Sequence, residues 1–353
     1  MKNSSQLLKF TEACMRLATQ QVPLYSSKFS KRTFTQPQLV VLYCLKIKLG
    51  VTYRELGDWL GEMPRIRETL GLKQLPHFTT VQKAFQRLSL AVWRVLQRIS
   101  ASLLLGDGVA AVDASGWDRS HASRYYTQRV KLQIRALKTT LLVDTRAQTV
   151  LDLHVTTTRK HDTQIGPQLT ERNLEQFETL AADKGYDDQA HRNRLKAWGK
   201  RPLIKHREFK PYDKAANARM DQELYHRRSL VETVISVLKR KYGATVSSRV
   251  WWRQFRELVA MCVVYNVERA LKLGVSLLDW LLARLLYSLQ QRISTEPNFF
   301  ILRNASVTRA IFFWSLSLSI SFISVGTICH ERPYLSLSQP HCSALGSAES
   351  LPQ

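Results

Sequence analysis

Two short apolar runs, each closed by an aspartate, constrain the fold of this chain most. They are Gly108-Val109-Ala110-Ala111-Val112-Asp113-Ala114-Ser115-Gly116 and Thr179-Leu180-Ala181-Ala182-Asp183-Lys184-Gly185-Tyr186. Each is too short for a stable helix and is bounded by glycine, so both read as buried strands. Between and after them the pattern changes repeatedly. Val130 to Val143 and Thr149 to Thr158 alternate apolar and polar residues as a strand pair would, with Asp144-Thr145-Arg146-Ala147 as the turn. Asp162 to Phe177 and Asp188 to Trp198 read as helices, Arg201 to Ile204 as a strand, and a long helix follows. This β-β-β-α-β-α-β-α order predicts an α/β sheet with helices on its faces.

That last helix carries Tyr225, Arg228, Glu232 and Lys239, the lysine seven residues beyond the glutamate. At about 100° per residue the four side chains fall within roughly 60° of one another. Val231, Val234, Ile235 and Leu238 follow i, i+3, i+4, i+7 and form a neighbouring apolar stripe. A helix that buries one stripe holds Glu232 at the lip of a cleft. A solvated polar face with an ordinary Arg228–Glu232 ion pair is the plainer reading of the helix alone.

A carboxylate at a strand end reaches into a shared crevice, although a lone Asp there often only caps a turn. Two such aspartates followed by a glutamate on a helix form a more specific pattern. Mg²⁺ takes oxygen ligands and keeps several waters, so two or three carboxylates and a phosphate suffice to hold it. Asp107 and Asp118 flank Asp113 but do not close the apolar run, and Asp187 and Asp188 read as a helix start.

With these residues in view, the chain resembles the DDE transposases of bacterial and archaeal insertion sequences. The resemblance is to the group whose third acid lies in a Y-R-E-K helix, nearest to the insertion-sequence family numbered five. It rests on Val112 to Gly116, Ala182 to Tyr186, and the Tyr225, Arg228, Glu232, Lys239 set. Further matching text is Arg124-Tyr125-Tyr126, Ala136 to Thr140, His161-Asp162-Thr163-Gln164 and Ile204 to Phe209, across residues 30 to 272. The resemblance implies a ribonuclease-H-like catalytic domain with Asp113, Asp183 and Glu232 as metal ligands. It also implies two Mg²⁺ ions, with Mn²⁺ as a substitute. The implied reaction is in-line attack at phosphorus without a covalent enzyme intermediate: water cuts at the element end, then the freed 3′-hydroxyl attacks target DNA. Arg228 would orient Glu232, while Tyr225 and Lys239 would either touch the DNA backbone or brace the acids from behind.

Charge agrees with a polyanionic partner: 52 Lys and Arg stand against 28 Asp and Glu, a formal +24. The alternatives are a basic surface that binds nothing and attraction to anionic lipid. Double-stranded DNA, in a homo-oligomeric complex and with no small-molecule substrate, is the expected partner. The five cysteines are scattered without a CxxC pair, which argues against a zinc ribbon or disulfide framework. Residues 1 to 24 lack the apolar core of a secretory signal, so a cytoplasmic, nucleoid-associated protein is expected.

Residues 1–100 read as an all-helical domain for DNA binding or dimerisation, 101–275 as the catalytic domain, and 276–353 as an atypical extension. Thr52 with Glu55 predicts a helix from Tyr53 to Trp59, broken by Gly61 and Pro64. Arg65 to Leu70 is a second helix, and Thr79 with Gln82 predicts a third through Ile99. This order is compatible with a helix-turn-helix that places Lys83 and Arg87 on DNA, and equally with a dimerising bundle. From Lys28 to Ser100 the net charge is +9.

His121, His154, His161, His191, His206 and His226 are dispersed and read as surface or DNA-contact residues. Trp251, Trp252 and Phe255 read as a packing cluster, with Arg249, Arg253 and Arg256 leaving DNA contact open. After Lys272 there is no lysine, residues 301–353 hold 11 serines, and Ala310 to Cys329 carries no charge over a length that would span a bilayer. Its alternating serines weaken the membrane reading and favour an appended tail. Two further readings stay open: an inactive DNA-binding derivative that regulates transposition, and a nuclease of similar fold that cuts without joining.

Overall fold

Side-chain caps set most helix starts in the N-terminal region of the computed structural model, which describes residues 5–119, 136–158 and 160–274. The Arg124-Tyr125-Tyr126 text, His121, residues 130–135 and everything from 275 onward, including Ala310 to Cys329, lie outside the described residues. Ser5 caps α1 (Gln6–Gln21) by accepting the Leu8 N–H at 3.2 Å. A Thr35–Gln38 capping box starts α2 (Gln36–Leu49), which ends at Gly50 in the left-handed region, φ 69°. The expected Thr52–Glu55 box starts α3 (Tyr53–Glu62). Gly61 does not end that helix, and Pro64 opens α4 (Pro64–Thr69) at its first position, where a missing N–H costs nothing.

The single helix expected from Thr79 to Ile99 is instead two, α5 (Phe78–Arg87) and α6 (Leu90–Ala101). Leu88 turns extended, ψ 125°, and Ser89 then caps α6 by accepting the Val92 N–H at 3.3 Å. Thr79 caps nothing; its hydroxyl meets His77 Nδ1 at 2.8 Å.

A mixed central sheet follows in the order β3-β2-β1-β4-β5, made of β1 (Val109–Arg119), β2 (Ala136–Asp144), β3 (Val150–Thr156), β4 (Thr179–Ala182) and β5 (Arg201–Ile204). β1 pairs antiparallel with β2 and parallel with β4, and β6 (Thr245–Val246) pairs with its far end. The turn between β2 and β3 lies at Asp144 to Ala147 as read, held by the Ala147 N–H on Asp144 Oδ1 at 2.7 Å. β1 does not stop at Asp113; it runs six residues further, and what ends there is its fully buried half.

Helices cover both faces, as a sheet with near-continuous apolar strands requires. Ala110, Val112, Leu142, Leu180 and Ala182 pack on one side with Leu169, from α7 (Asp162–Glu171), and Leu195, from α8 (Gln189–Ala197). Ala111, Leu141 and Ala181 join a larger core that runs through α1 to α6. The link is α12 (Trp251–Lys272), which packs against α1, α2, α6 and β3. Its Asn266, fully buried, accepts the Val150 N–H at 2.9 Å and donates to the Val150 carbonyl and Ser100 Oγ. Its buried Glu268 takes ion pairs from Lys48 of α2 and from Lys241. A mixed α/β chain with a central sheet of this form fits a ribonuclease-H-like domain. Among the described residues no helix is long and apolar enough to cross a membrane.

Candidate active site

The β1–β4 register places the two aspartates side by side. Val112 pairs with Ala182, so Asp113 and Asp183 each follow the last parallel pair on neighbouring strands, which lie about 4.8 Å apart. Each folds back on its own backbone: Asp113 accepts the Ala114 N–H at 2.8 Å and Asp183 the Lys184 N–H at 2.7 Å.

The glutamate arrives on α11 (Ser229–Tyr242), which packs across β1 and β2. Val231, Val234, Ile235 and Leu238 are its buried stripe, as the spacing predicts, and each such side chain contributes about 1.5–3 kcal/mol on burial. That stripe turns Glu232 outward, where its side chain is 54% exposed. The continuous helix from Tyr225 to Lys239 is not observed. Tyr225 belongs to a separate short helix, α10 (Gln222–His226), which follows α9 (Pro211–Ala218), and a turn at Arg227–Arg228 separates it from α11. Asp107 explains part of this break, because it holds Arg227 by an ion pair at 2.7 Å. Asp107 is thereby accounted for as a structural residue.

Arg228 joins the acids. Its Nη1 donates to Glu232 Oε1 at 2.7 Å, and its guanidinium also acts electrostatically on Asp113 and Asp183. Tyr225 lies within the same field: burial raises its phenol, and Asp183 adds to the rise against the pull of Arg228. Burial likewise pushes the Asp113 carboxyl up, with the Glu232 and Asp162 charges adding to it, while the Ala114 N–H and Arg228 pull it down. Lys239 is placed elsewhere. It donates to Ser115 Oγ at 2.7 Å and sits 4.9 Å from the Trp117 ring centroid, on the outer half of β1. Lys83 and Arg87 are exposed on α5, beside a cavity of about 260 Å³ shared with Ser26, Gln36 and Thr80.

Two residues near the acids had no role in the sequence reading. Asp162, the first residue of α7, pairs with Lys138 at 2.9 Å and acts on Asp113. Tyr186 is 3% exposed, and its hydroxyl is raised by burial and by Asp162 and Asp113. The matching His161-Asp162 text was the available signal for the first. Asp187 does not start a helix; it braces Arg192 and the Arg207 N–H, and Asp188 caps α8. His191 is a core residue rather than a surface one, 1% exposed, with burial lowering its imidazole to about 4.

The described residues contain no group of three His, Cys, Asp or Glu close enough to share one metal ion. The donor set is nevertheless of the right kind: hard carboxylate oxygens, one of them destabilised by burial and, less, by its acidic neighbours, a condition that a divalent cation relieves.

Residues 105–267 match the family model of the transposase DDE domain. The match supports a DDE transposase. It spans Asp113, Asp183, Tyr225, Arg228, Glu232 and Lys239, and it leaves α1 to α6 outside. Comparison with curated proteins finds no match. Among solved structures, a piggyBac transposase synaptic complex with hairpin DNA aligns at 8% identity over 84% of this chain and 80% of that one. Its TM-score is 0.38, a likeness too slight to bear on this chain's chemistry.

Proposed function

We propose that this chain is an insertion-sequence transposase of the Y-R-E-K group. It would cut element ends and join the 3′-hydroxyl to target DNA. The observation that carries the reading is the convergence of Asp113, Asp183 and Glu232 on Arg228, inside the stretch that matches the transposase DDE domain. Asp113, Asp183 and Glu232 would hold divalent cations, Mg²⁺ or Mn²⁺. Bound there, such ions supply charge neutralisation at the scissile phosphate and a more acidic attacking hydroxyl. Arg228 holds Glu232 by a hydrogen bond at 2.7 Å and offers a guanidinium to a phosphate oxygen. Asp113 and Asp183, fixed by the N–H groups of Ala114 and Lys184, keep their second oxygens available for ligation. Lys239, held by Ser115, presents an ammonium beside β1 for the DNA backbone. Lys83 and Arg87 are proposed to contact DNA from α5, and the working assembly is proposed to be a homo-oligomer.

The test uses the full chain with duplex DNA carrying the element's terminal repeats. Asp113→Asn, Asp183→Asn and Glu232→Gln each lower cleavage by more than about a thousandfold while DNA affinity stays within a fewfold. Cleavage by D113N near the wild-type rate removes Asp113 from the site. Joined products separate a transposase from a nuclease that only cuts. A wild-type chain that binds DNA but cuts with neither Mg²⁺ nor Mn²⁺ is a regulator instead.

A further inference from the structure

A second cationic site lies away from the acids. The loop before α12 and the exposed side of α5 enclose a cleft of about 410 Å³ lined by Tyr53, Gln82, Gln86, Ser248, Arg249 and Arg253, among others. Its floor is built with care. Glu257, 4% exposed, accepts the Ser247 N–H and hydroxyl at 2.8 Å and the Ser248 N–H at 2.9 Å. Gln254 donates to the Ser248 carbonyl at 2.8 Å. These bonds fix the stretch that presents Arg249, and they use up Glu257 on backbone and hydroxyl donors.

The arginines are left with unspent charge. Among the described residues no carboxylate forms an ion pair with Arg249, Arg253 or Arg256. The Nε atoms of Arg253 and Arg256 are buried without a hydrogen-bond partner. Arg256 does spend one Nη on the Gln86 carbonyl at 2.8 Å, which ties the two walls together. α12 also starts here, with no side chain capping its first turn and no acidic residue in it. A 22-residue helix directs a partial positive charge from that end. Glu257 lies beneath them but is bonded to Ser247 and Ser248, so the arginines keep charge that a bound anion would neutralise.

The neighbouring aromatics narrow the class of anion. Trp251 and Trp252, expected to be packed, are 50% and 45% exposed. Their rings meet edge to face at 5.6 Å, and Trp251 leans on Phe255 at 5.3 Å, yet both reach solvent. Arginines beside exposed indoles suit a ligand that alternates phosphates with flat apolar groups.

We propose that this cleft binds the phosphodiester backbone of DNA through Arg249 and Arg253, with Trp251 and Trp252 meeting the adjoining nucleoside. The site is separate from the acid cluster and from the Lys83–Arg87 side of α5. The inference rests on the DNA substrate proposed above, and its test keeps the two apart.

Anisotropy of labelled duplex DNA is followed from about 0.05 to 0.3 M salt with the full chain, with exposed Arg249→Gln, with the R249Q/R253Q pair, and with R65Q/R146Q as a control of equal charge change. A slope of about −0.9 per phosphate makes each contact worth about eightfold between 1 M and 0.1 M salt. R249Q should weaken binding by about that factor and lower the slope by about one. The pair should do more, and the control little. Trp251→Ala should weaken binding without changing the slope. Because Arg249 is exposed, R249Q leaves folding intact even where the pair does not. Tight wild-type binding with R249Q and the R249Q/R253Q pair indistinguishable from it overturns the cleft and spares the DNA reading. A wild-type chain that does not bind duplex at all overturns both. Equal losses in the cleft and control pairs, or competition by polyglutamate as strong as by DNA at equal charge, also overturn the assignment.

Discussion

Gly166 offers a substitution whose sign separates two opposing effects. It lies inside α7, where replacing glycine by alanine ordinarily stabilises by about 0.5–1 kcal/mol through helix propensity. An alanine Cβ at this position would stand 2.8 Å from Tyr186 Cδ1 and 3.3 Å from Cε1. Tyr186 is 3% exposed and cannot swing into solvent, so the overlap must be relieved by moving packed atoms, at about 1–3 kcal/mol. Pro167 follows directly and disfavours a helical residue with a Cβ before it, which adds to the cost. The clash wins: Gly166→Ala should destabilise by about 1–2 kcal/mol, a melting shift of roughly −3 to −8 °C for a domain of this size. Gly57, inside α3, has nothing within 4 Å of an added Cβ, so Gly57→Ala should instead raise the melting temperature by about 1–3 °C. Thermal melting of both variants, and of Gly166→Ala in a Tyr186→Leu background, gives the coupling between residues 166 and 186. A coupling of about 1 kcal/mol is expected. If G166A melts higher than wild type, as G57A should, the packing argument around Tyr186 is wrong.

Burial and the Glu232 and Asp162 charges hold the Asp113 carboxyl above its ordinary range, so ionised Asp113 costs stability as pH rises through that raised value. D113N, proposed to be inactive, should therefore melt at or above the wild-type temperature at pH 7 and lose that advantage in acid; a lower melting temperature at pH 7 contradicts it. Glu268 behaves oppositely: burial pushes it up, but hydrogen bonds from Lys241, Lys48 and Tyr242 outweigh this and hold it low. Its contribution is present above the ordinary carboxylate range and is lost as pH falls through its lowered value, so Glu268→Gln should melt lower at pH 7 and converge with wild type only once pH has fallen below that lowered value. Mg²⁺ or Mn²⁺ should support cleavage, and Ca²⁺ should support DNA binding with little chemistry, because its looser coordination misplaces the reacting oxygens; equal rates with all three would refute a carboxylate-held ion. A chain ended at Arg284 should remain folded and cut at least as well as the full chain, measured by melting and cleavage; an insoluble product contradicts this.

Period-two and period-3.6 signals survived translation into structure wherever one face of an element is buried. Val231, Val234, Ile235 and Leu238 line the core as their spacing requires, and the glycine-bounded runs at Val109 and Thr179 became adjacent parallel strands. Local rules failed where distant residues decide. Nothing in Tyr225 to Ser229 forbids a helix; the turn there accompanies the Asp107–Arg227 ion pair, between residues 120 positions apart. Asp162 and Tyr186 meet because α7 crosses the sheet, which no spacing reveals. The split between α5 and α6 was legible, because Ser89 is a good cap, but an apolar pattern running through it hid the signal.

The position of α12 in the chain dictates the timing of folding during synthesis. Its side chains complete the interior of α1, α2 and α6, yet it is made last of the packed elements: Ser100 waits for Asn266, and Lys48 for Glu268. At 5–20 residues per second, about 170 residues after α6 correspond to roughly 10 to 30 s on the ribosome with an open interior. A nascent chain in that interval lacks the helix that packs on α1, α2 and α6, and the apolar surface left open there makes it a client for holding chaperones. It is also unable to form the Arg249–Arg253 cleft, so the grip on nucleic acid proposed for that cleft would switch on only when translation has passed the last turn of α12.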